Sequence, residues 1–217
     1  MIKIENTQVC GWEAAIRGMR NPMNSWDKSD SQWFYDENGE WTDKFVVGKN
    51  DLKLMKQLSK AGNDHGKFLR MITVTADITA PLYWWKEFDT YKVGTVANSC
   101  STMHKIQSKE FTFDDFSHEH LTPESCVALE HIIDCMEANR KMFLALDAEE
   151  KKLAWWQMIQ LLPSSYNQKR TVQINYQVAK AQRAGRRHHK LDEWHDYCDW
   201  LEGLPYFKEI CLGEGLE

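Results

Sequence analysis

The sequence predicts an α+β fold with helices in the majority, and three observations carry the prediction. Phe68 to Thr79 alternates apolar and other residues with a period of two and is rich in β-branched side chains, the pattern of a half-buried strand. From Thr122 onward apolar residues recur at helical spacing in one segment after another. The chain, with 217 residues and 42% hydrophobic content, is long enough for one real core and too short to require two, so residues 1–217 are expected to form a single domain. Ten Trp, nine Phe and seven Tyr argue against disorder, because unfolded segments are poor in aromatics.

In chain order, residues 1 to 8 read as a short strand, and Trp12 to Met19 as a short helix with Trp12, Ala15, Ile16 and Met19 on one side. Asn21 to Thr42 mixes turn-forming residues with Trp26, Trp33, Phe34 and Tyr35 and closes on a turn-like Glu37-Asn38-Gly39, as a packed loop or hairpin would. Asn50 to Ala61 carries Leu52, Leu54, Met55 and Leu58 at helical spacing and stops at Gly62. Phe68 to Thr79 is taken as the central strand, broken by Ala80-Pro81, after which LYWWKEFDTYK is a buried helix with Pro81 in its first turn. Thr122-Pro123 opens a long helix, Asp147 starts another that ends near Pro163, Lys169 to His189 is a third, and Leu191, Trp194, Cys198 and Leu201 stripe a fourth closed by Gly203 and Pro205.

The net charge of −5 gives no long-range field toward nucleic acid or an anionic membrane, so neither is expected as a partner. One basic patch stands out, Lys180 to Lys190 (KAQRAGRRHHK), which could meet ligand phosphates, pair with the acids that follow, or be solvated. Asp192, Glu193 and Asp196 are the acids in reach of Arg183, Arg186, Arg187 and Lys190. The six cysteines lie far apart, without zinc-ligand spacing, and read as reduced thiols. No basic start with an apolar run marks a signal peptide and no stretch reaches membrane-spanning length, so a cytoplasmic protein of a bacterium or its phage is expected. His188, His189 and His195 lack a companion carboxylate at ligand spacing, and no metal is expected.

The order strand, Ala-Pro, helix, polar loop, then after an insertion Leu-Pro and a helix containing an Asn, resembles the flavin-dependent thymidylate synthase (ThyX) family over roughly residues 50 to 203. The pieces that carry the resemblance are ITAPLYWWKEFDTYKVGTVANSCSTM (Ile78 to Met103), LLP (Leu161 to Pro163), INYQ (Ile174 to Gln177) and Arg186. Laid without gaps, the family's RHRxxSxNxxSxRY signature places RHR on Thr90, Tyr91 and Lys92 and its first Ser on Thr95, with the remaining positions on Ala97, Cys100, Thr102 and Met103, or one residue later if the loop has slipped, while the Arg of VNAR falls on Gln177. The resemblance implies a small central antiparallel sheet packed with long helices and a homotetramer with sites assembled from several subunits. It implies transfer of a one-carbon unit to C5 of a deoxyuridine nucleotide, with FAD as cofactor and NADPH and methylenetetrahydrofolate as co-substrates. By the same carry-over Tyr91, Lys92, Thr95 and Asn175 would hold flavin, and Asn98, Ser99, Cys100, Ser101, Gln177 and Arg186 the nucleotide. Most of the family's arginines are replaced here, and Thr or Gln does not supply a bidentate fork for phosphate.

The residues themselves add to this. Gly94 to Thr102 is small and polar, able to offer backbone N–H groups, amides and hydroxyls to a ligand, or to serve as a turn. Cys100 reads as a packed or ligand-lining thiol rather than a nucleophile, and no catalytic residue is assigned. Asn175, Gln182 and Arg186 share a face if one helix is continuous through them. Trp155 and Trp156 read as core or interface, while Trp84 and Tyr91 could instead stack on a ring. Two functions follow: an FAD-dependent transferase, or a scaffold that binds or sequesters a nucleotide-like molecule without turning it over.

Overall fold

A computed structural model describes residues 1–38 and 40–215; Gly39 of the expected turn lies outside the described residues. Half of the chain is helical and the sheet is small and antiparallel. The strands are β1 (Lys3–Cys10), β2 (Gln32–Tyr35), β3 (Trp41–Val46), β4 (Thr73–Pro81), β5 (Val96–Ser99) and β6 (Asn167–Asn175). The helices are α1 (Trp12–Arg20), α2 (Lys49–Lys60), α3 (Leu82–Phe88), α4 (Pro123–Ala145), α5 (Ala148–Leu161), α6 (Tyr176–Arg186) and α7 (Asp192–Glu202), with a π-helical turn at Lys208–Leu212. One sheet has the order β1-β4-β6-β5, and β2 and β3 form a separate hairpin that pairs Trp33 with Phe45. Among the described residues no helix is long and apolar enough to cross a membrane. The chain divides into two compact units: Met1–Glu5, Asp77–Thr90 and Ala97–Thr171 in the first, and Asn6–Ala76, Tyr91–Val96 and Val172–Glu217 in the second.

In the first unit, α3 is short because its apolar face is used up quickly. Trp84, Trp85 and Phe88 are all buried, with Trp84 stacked on Phe88 at 5.1 Å. Pro81 is the N-cap of α3 rather than a member of its first turn. The free N–H groups of Leu82 and Tyr83 donate to the carbonyls of Tyr166 and Ser164, so the helix start is satisfied by another segment. Thr122 caps α4 through its hydroxyl, which accepts from Ser125 N–H, as Thr-Pro predicts. The paired helices α4 and α5 close over Ile106, Phe111, Phe116, Leu129, Met136 and Met158.

In the second unit, α1 buries Trp12, Ala15, Ile16 and Met19 as its spacing requires, and Trp12 meets Tyr176 edge to face at 5.4 Å. The strand expected from Phe68 begins only at Thr73. Phe68 and Leu69 are both buried in a 3₁₀ turn, Gly66–Arg70, which closes with Met71 N–H donating to the Phe68 carbonyl at 2.9 Å. The helix expected from Lys169 begins only at Tyr176, because Gln168, Val172 and Ile174 turn inward with a period of two and β6 takes its hydrogen bonds between β4 and β5.

The loop after α1 is held by a buried ion pair. Arg20 Nε donates to Asp51 Oδ1 at 2.7 Å and its remaining donors reach the carbonyls of Ser25 and Lys28. The other Asp51 oxygen accepts from the hydroxyls of Ser29 and Ser31 at 2.7 and 2.6 Å. Both charges are therefore out of water with their hydrogen-bonding capacity met, the condition under which such a pair is tolerated. Burial pushes the Asp51 carboxyl up, but the two hydroxyls and the guanidinium outweigh it, and its pKa lies below the ordinary value.

Asp51→Asn leaves a buried guanidinium without its counter-charge and is expected to cost on the order of 3 kcal/mol in urea unfolding. Since the folded pKa is depressed, the contribution of Asp51 is complete above the unfolded carboxylate pKa of about 3.9 and is lost as pH falls through the lower folded value. An acid titration of stability that is no shallower in Asp51→Asn than in the parent chain would refute this.

Candidate functional site

In the second unit, six residues expected at a ligand site, Tyr91, Lys92, Thr95, Asn175, Gln177 and Arg186, gather along α6. Asn175 ends β6 and is the N-cap of α6, its Oδ1 accepting from Val178 N–H at 3.0 Å. Gly94 packs against the other end of the same amide. A Cβ built on Gly94 would stand 2.9 Å from Asn175 Nδ2 and 3.0 Å from Val178 Cγ2, and Gly94 has φ +76°, a conformation glycine adopts without strain. At the last turn of α6, Arg186 Nε donates to Tyr91 Oη at 3.0 Å. The guanidinium lies over the ring of Trp194 at 4.9 Å and that of Tyr91 at 5.5 Å. The segment from Tyr91 to Thr95 is thus laid along α6 from its last turn to its cap.

The other members are placed by local bonding. Gln177 Nε2 donates to Asn63 Oδ1 at 3.1 Å. Lys92 is exposed, whereas Thr95 is half-buried and its Oγ1 is enclosed without a hydrogen-bond partner. Gln182 is fully buried and accepts from the Tyr197 hydroxyl at 2.8 Å. The stripe Asn175, Gln182, Arg186 is therefore not one face lining a pocket: the first is a cap, the second is core and the third stacks on aromatics. Arg183 pairs with Glu202 at 2.8 Å and Arg187 with Asp199. His195 Nε2 lies 2.7 Å from the His189 carbonyl, and among the described residues no His, Cys, Asp and Glu form a group able to hold a metal ion.

The first unit holds Asn98, Ser99, Cys100 and Ser101. Part of the expected loop is strand β5, whose residues are all exposed, Asn98 and Ser99 among them. The backbone of Cys100 is pinned on both sides, its N–H donating to the Lys169 carbonyl at 2.9 Å and its carbonyl accepting from Gln168 Nε2 at 2.8 Å. Gln168 is in turn oriented by Arg170, whose Nε reaches Gln168 Oε1 at 3.0 Å and whose Nη1 reaches Asp89 Oδ1 at 2.8 Å. The Arg170 guanidinium lies 4.2 Å above the ring of Trp85, and Trp85 Nε1 donates to the Gln168 carbonyl at 2.9 Å. Trp155 fixes the far end of the loop through Nε1 to the Met103 carbonyl at 2.8 Å.

Cys100 and Ser101 open on a cavity of about 560 Å³ that Lys105, Tyr166 and Lys169 also line. Burial raises the Tyr166 phenol above its ordinary value, so it is a neutral hydroxyl donor near neutrality. Lys169 lies 3.3 Å from Asp77, and Lys109 pairs with Asp115. All six cysteines are free, but only some are reactive in principle. Burial pushes Cys198 up to about 11 and Cys211 up to about 12, whereas Cys100 is exposed.

Sequence reasoning missed Trp194, Asn63, Gln168 and Lys169. Each is brought in from a separate segment, and no spacing along the chain announces such a neighbour. Trp84, held open as a stacking platform, is core instead.

No protein-family model matches the sequence, and no curated protein is significantly similar to it. Solved structures are. The chain is similar to the flavin dependent thymidylate synthase ThyX from Helicobacter pylori complexed with FAD and dUMP, with a TM-score of 0.67 and 15% identity over 96% of this chain and 99% of that one. A second structure of Helicobacter pylori thymidylate synthase X with FAD and dUMP gives 0.66 and 14% over 97% of each chain. A UMP/dUMP methylase, PolB from Streptomyces cacaoi bound with 5-Br dUMP, gives 0.57 and 12% over 94% of this chain and 89% of that one. The chain has the fold of flavin-dependent thymidylate synthases.

Gly94→Ala is expected to lower stability by about 1–2 kcal/mol, from positive φ and the crowding of Asn175. Asn175→Ala is expected to cost about 1 kcal/mol through loss of the cap. Because the two share one contact, the double variant should cost less than the sum by chemical denaturation. Strict additivity would show that the segment does not rest on Asn175.

Proposed function

We propose that this chain binds a deoxyuridine nucleotide and moves a one-carbon unit to its C5, as a flavin-dependent thymidylate synthase-like transferase. The observation that carries the reading is the Tyr91–Thr95 segment laid along α6, which gathers in one unit the candidate flavin residues and Arg186. The solved structures of the same fold contain FAD and dUMP, and one is a UMP/dUMP methylase bound with 5-Br dUMP, which supports the ligand class.

The residues present fit part of a flavin nucleotide. The enclosed Thr95 Oγ1 lacks a partner and suits a hydroxyl or ring-nitrogen contact, and the exposed Lys92 ammonium suits a phosphate. Bound FAD would supply the reducing equivalents, with NADPH and methylenetetrahydrofolate as co-substrates. The chain's own contribution is positioning. Arg186 is held flat by Tyr91 and Trp194, Asn98 and Ser99 offer an exposed amide and hydroxyl, and Ser101 Oγ accepts from His104 N–H at 3.0 Å, which leaves its own proton for a ligand oxygen. Exposed Leu153 and Trp156 on α5 would supply apolar surface for the homotetramer that the family resemblance implies.

A second reading, nucleotide binding without turnover, is favoured by what replaces the signature arginines. Thr90 Oγ1 donates to the Glu87 carbonyl at 2.7 Å and Gln177 to Asn63, so both side chains are engaged within the protein rather than offered to phosphate.

The absorbance spectrum of the purified protein separates the two. Flavin bands with deoxyuridylate-dependent NADPH oxidation are expected for the transferase. A colourless protein that takes up no FAD but binds deoxyuridylate would leave the binding protein. Arg186→Ala is expected to weaken deoxyuridylate binding at least about tenfold, the loss of one charge-assisted contact. Unchanged affinity for every nucleotide tried would refute the assignment of Arg186.

A further inference from the structure

We infer a second anion site, in the second unit, where Lys56, Lys60 and Lys180 surround a cavity of about 340 Å³. It does not depend on the function proposed above and uses none of the residues named there. Lys56 and Lys60 stand one turn apart on α2, so their side chains leave the same face of the helix. Lys180 comes from α6, and its Nζ is tied to Ser59, at 2.8 Å from the hydroxyl and 3.0 Å from the carbonyl. The floor is apolar, made by Ile210 and Cys211 of the π-helical turn, both buried.

The charge state of this cavity is what points to a ligand. In the cavity at Cys100 three of the lining lysines face acids: Lys3 lies 2.8 Å from Glu5, Lys169 lies 3.3 Å from Asp77, and Lys109 pairs with Asp115. Here Lys56 and Lys180 donate to neutral oxygens, those of Gly215 and Ser59. Among the described residues no carboxylate lines the cavity. Three ammonium groups around a concave, low-dielectric floor raise the local positive potential, in a chain whose net charge is −5. Ammonium groups are compact point charges that suit phosphate without fixing its orientation. The volume admits a small phosphorylated molecule rather than a nucleic-acid strand, and π-helical turns recur at functional sites. The ligand class is a small phosphate or diphosphate ester.

Titration calorimetry of the full chain with inorganic pyrophosphate, against sodium chloride at matched ionic strength, tests this. Saturable binding is expected with pyrophosphate and none with chloride. Lys60→Gln, an exposed position, is expected to weaken binding about tenfold, and Lys56→Gln with Lys60→Gln more than either alone. Lys180→Gln is read alongside its thermal unfolding, because it also loses the Ser59 contacts. Absence of saturable binding in the parent chain, or equal affinity in Lys56→Gln/Lys60→Gln, would overturn the inference. A loss caused by Arg186→Ala with the lysine variants unaffected would place pyrophosphate along α6 and overturn it too.

Discussion

Asn175 is the side chain on which the second unit's candidate site depends. It stands where β6 gives way to α6, and one amide serves two segments. Its oxygen caps the helix by accepting from Val178, and its nitrogen end is the surface against which Gly94 is packed. The cap fixes where α6 begins and therefore where its last turn falls, eleven residues being the helix length. Arg186 in that turn meets Tyr91, so the segment beginning at Tyr91 is anchored at both ends by one helix. The positive φ of Gly94 is the backbone consequence, since a side chain there would displace the amide that starts the helix.

The first unit solves a different problem, how to order a loop made of small polar residues. Such residues bury little apolar surface, so order has to come from hydrogen bonds. Gln168 supplies them. It is buried, its amide nitrogen takes the Cys100 carbonyl, and its oxygen is satisfied by Arg170, which is itself stacked on Trp85 and paired with Asp89. Each group in the chain of contacts orients the next, and none of its polar ends is left to bear a desolvation cost. Cys100 and Ser101 consequently present their side chains from a fixed backbone to the cavity they line.

Charge is distributed unevenly over these sites. In the cavity at Cys100, Lys109 and Lys169 are already balanced by acids, and the guanidinium at α6 is spread over two aromatic rings rather than aimed from a basic cluster. An ammonium pair with a carboxylate attracts phosphate far less than a lone ammonium does, because the fields cancel beyond a few ångströms. The Lys56, Lys60 and Lys180 cavity is the contrasting case, with Lys56 and Lys180 facing neutral oxygens over an apolar floor. Sequence alone displayed the Lys180 to Lys190 patch as one basic run. In the fold, Arg183 and Arg187 turn to the acids of α7 while Lys180 turns to α2.

What the sequence determined by itself was every element whose apolar face recurs within the element. The stripes of α1, α2, α4 and α7 and the alternation Val74, Ala76, Ile78 are written at fixed spacing, and caps such as Thr122 are local chemistry. It also carried the order of segments from which the fold was expected, though few of the signature side chains. Tertiary structure alone decided that Asn167–Asn175 is a strand, because its hydrogen bonds go to β4 and β5 and its charged residues hide the alternation. It alone decided that Asn175 caps rather than lines, that Gln182 is core, and that Arg186 finds Trp194. The physical reason is the same throughout: periodicity records which way a residue faces, and only the packed chain records what it faces.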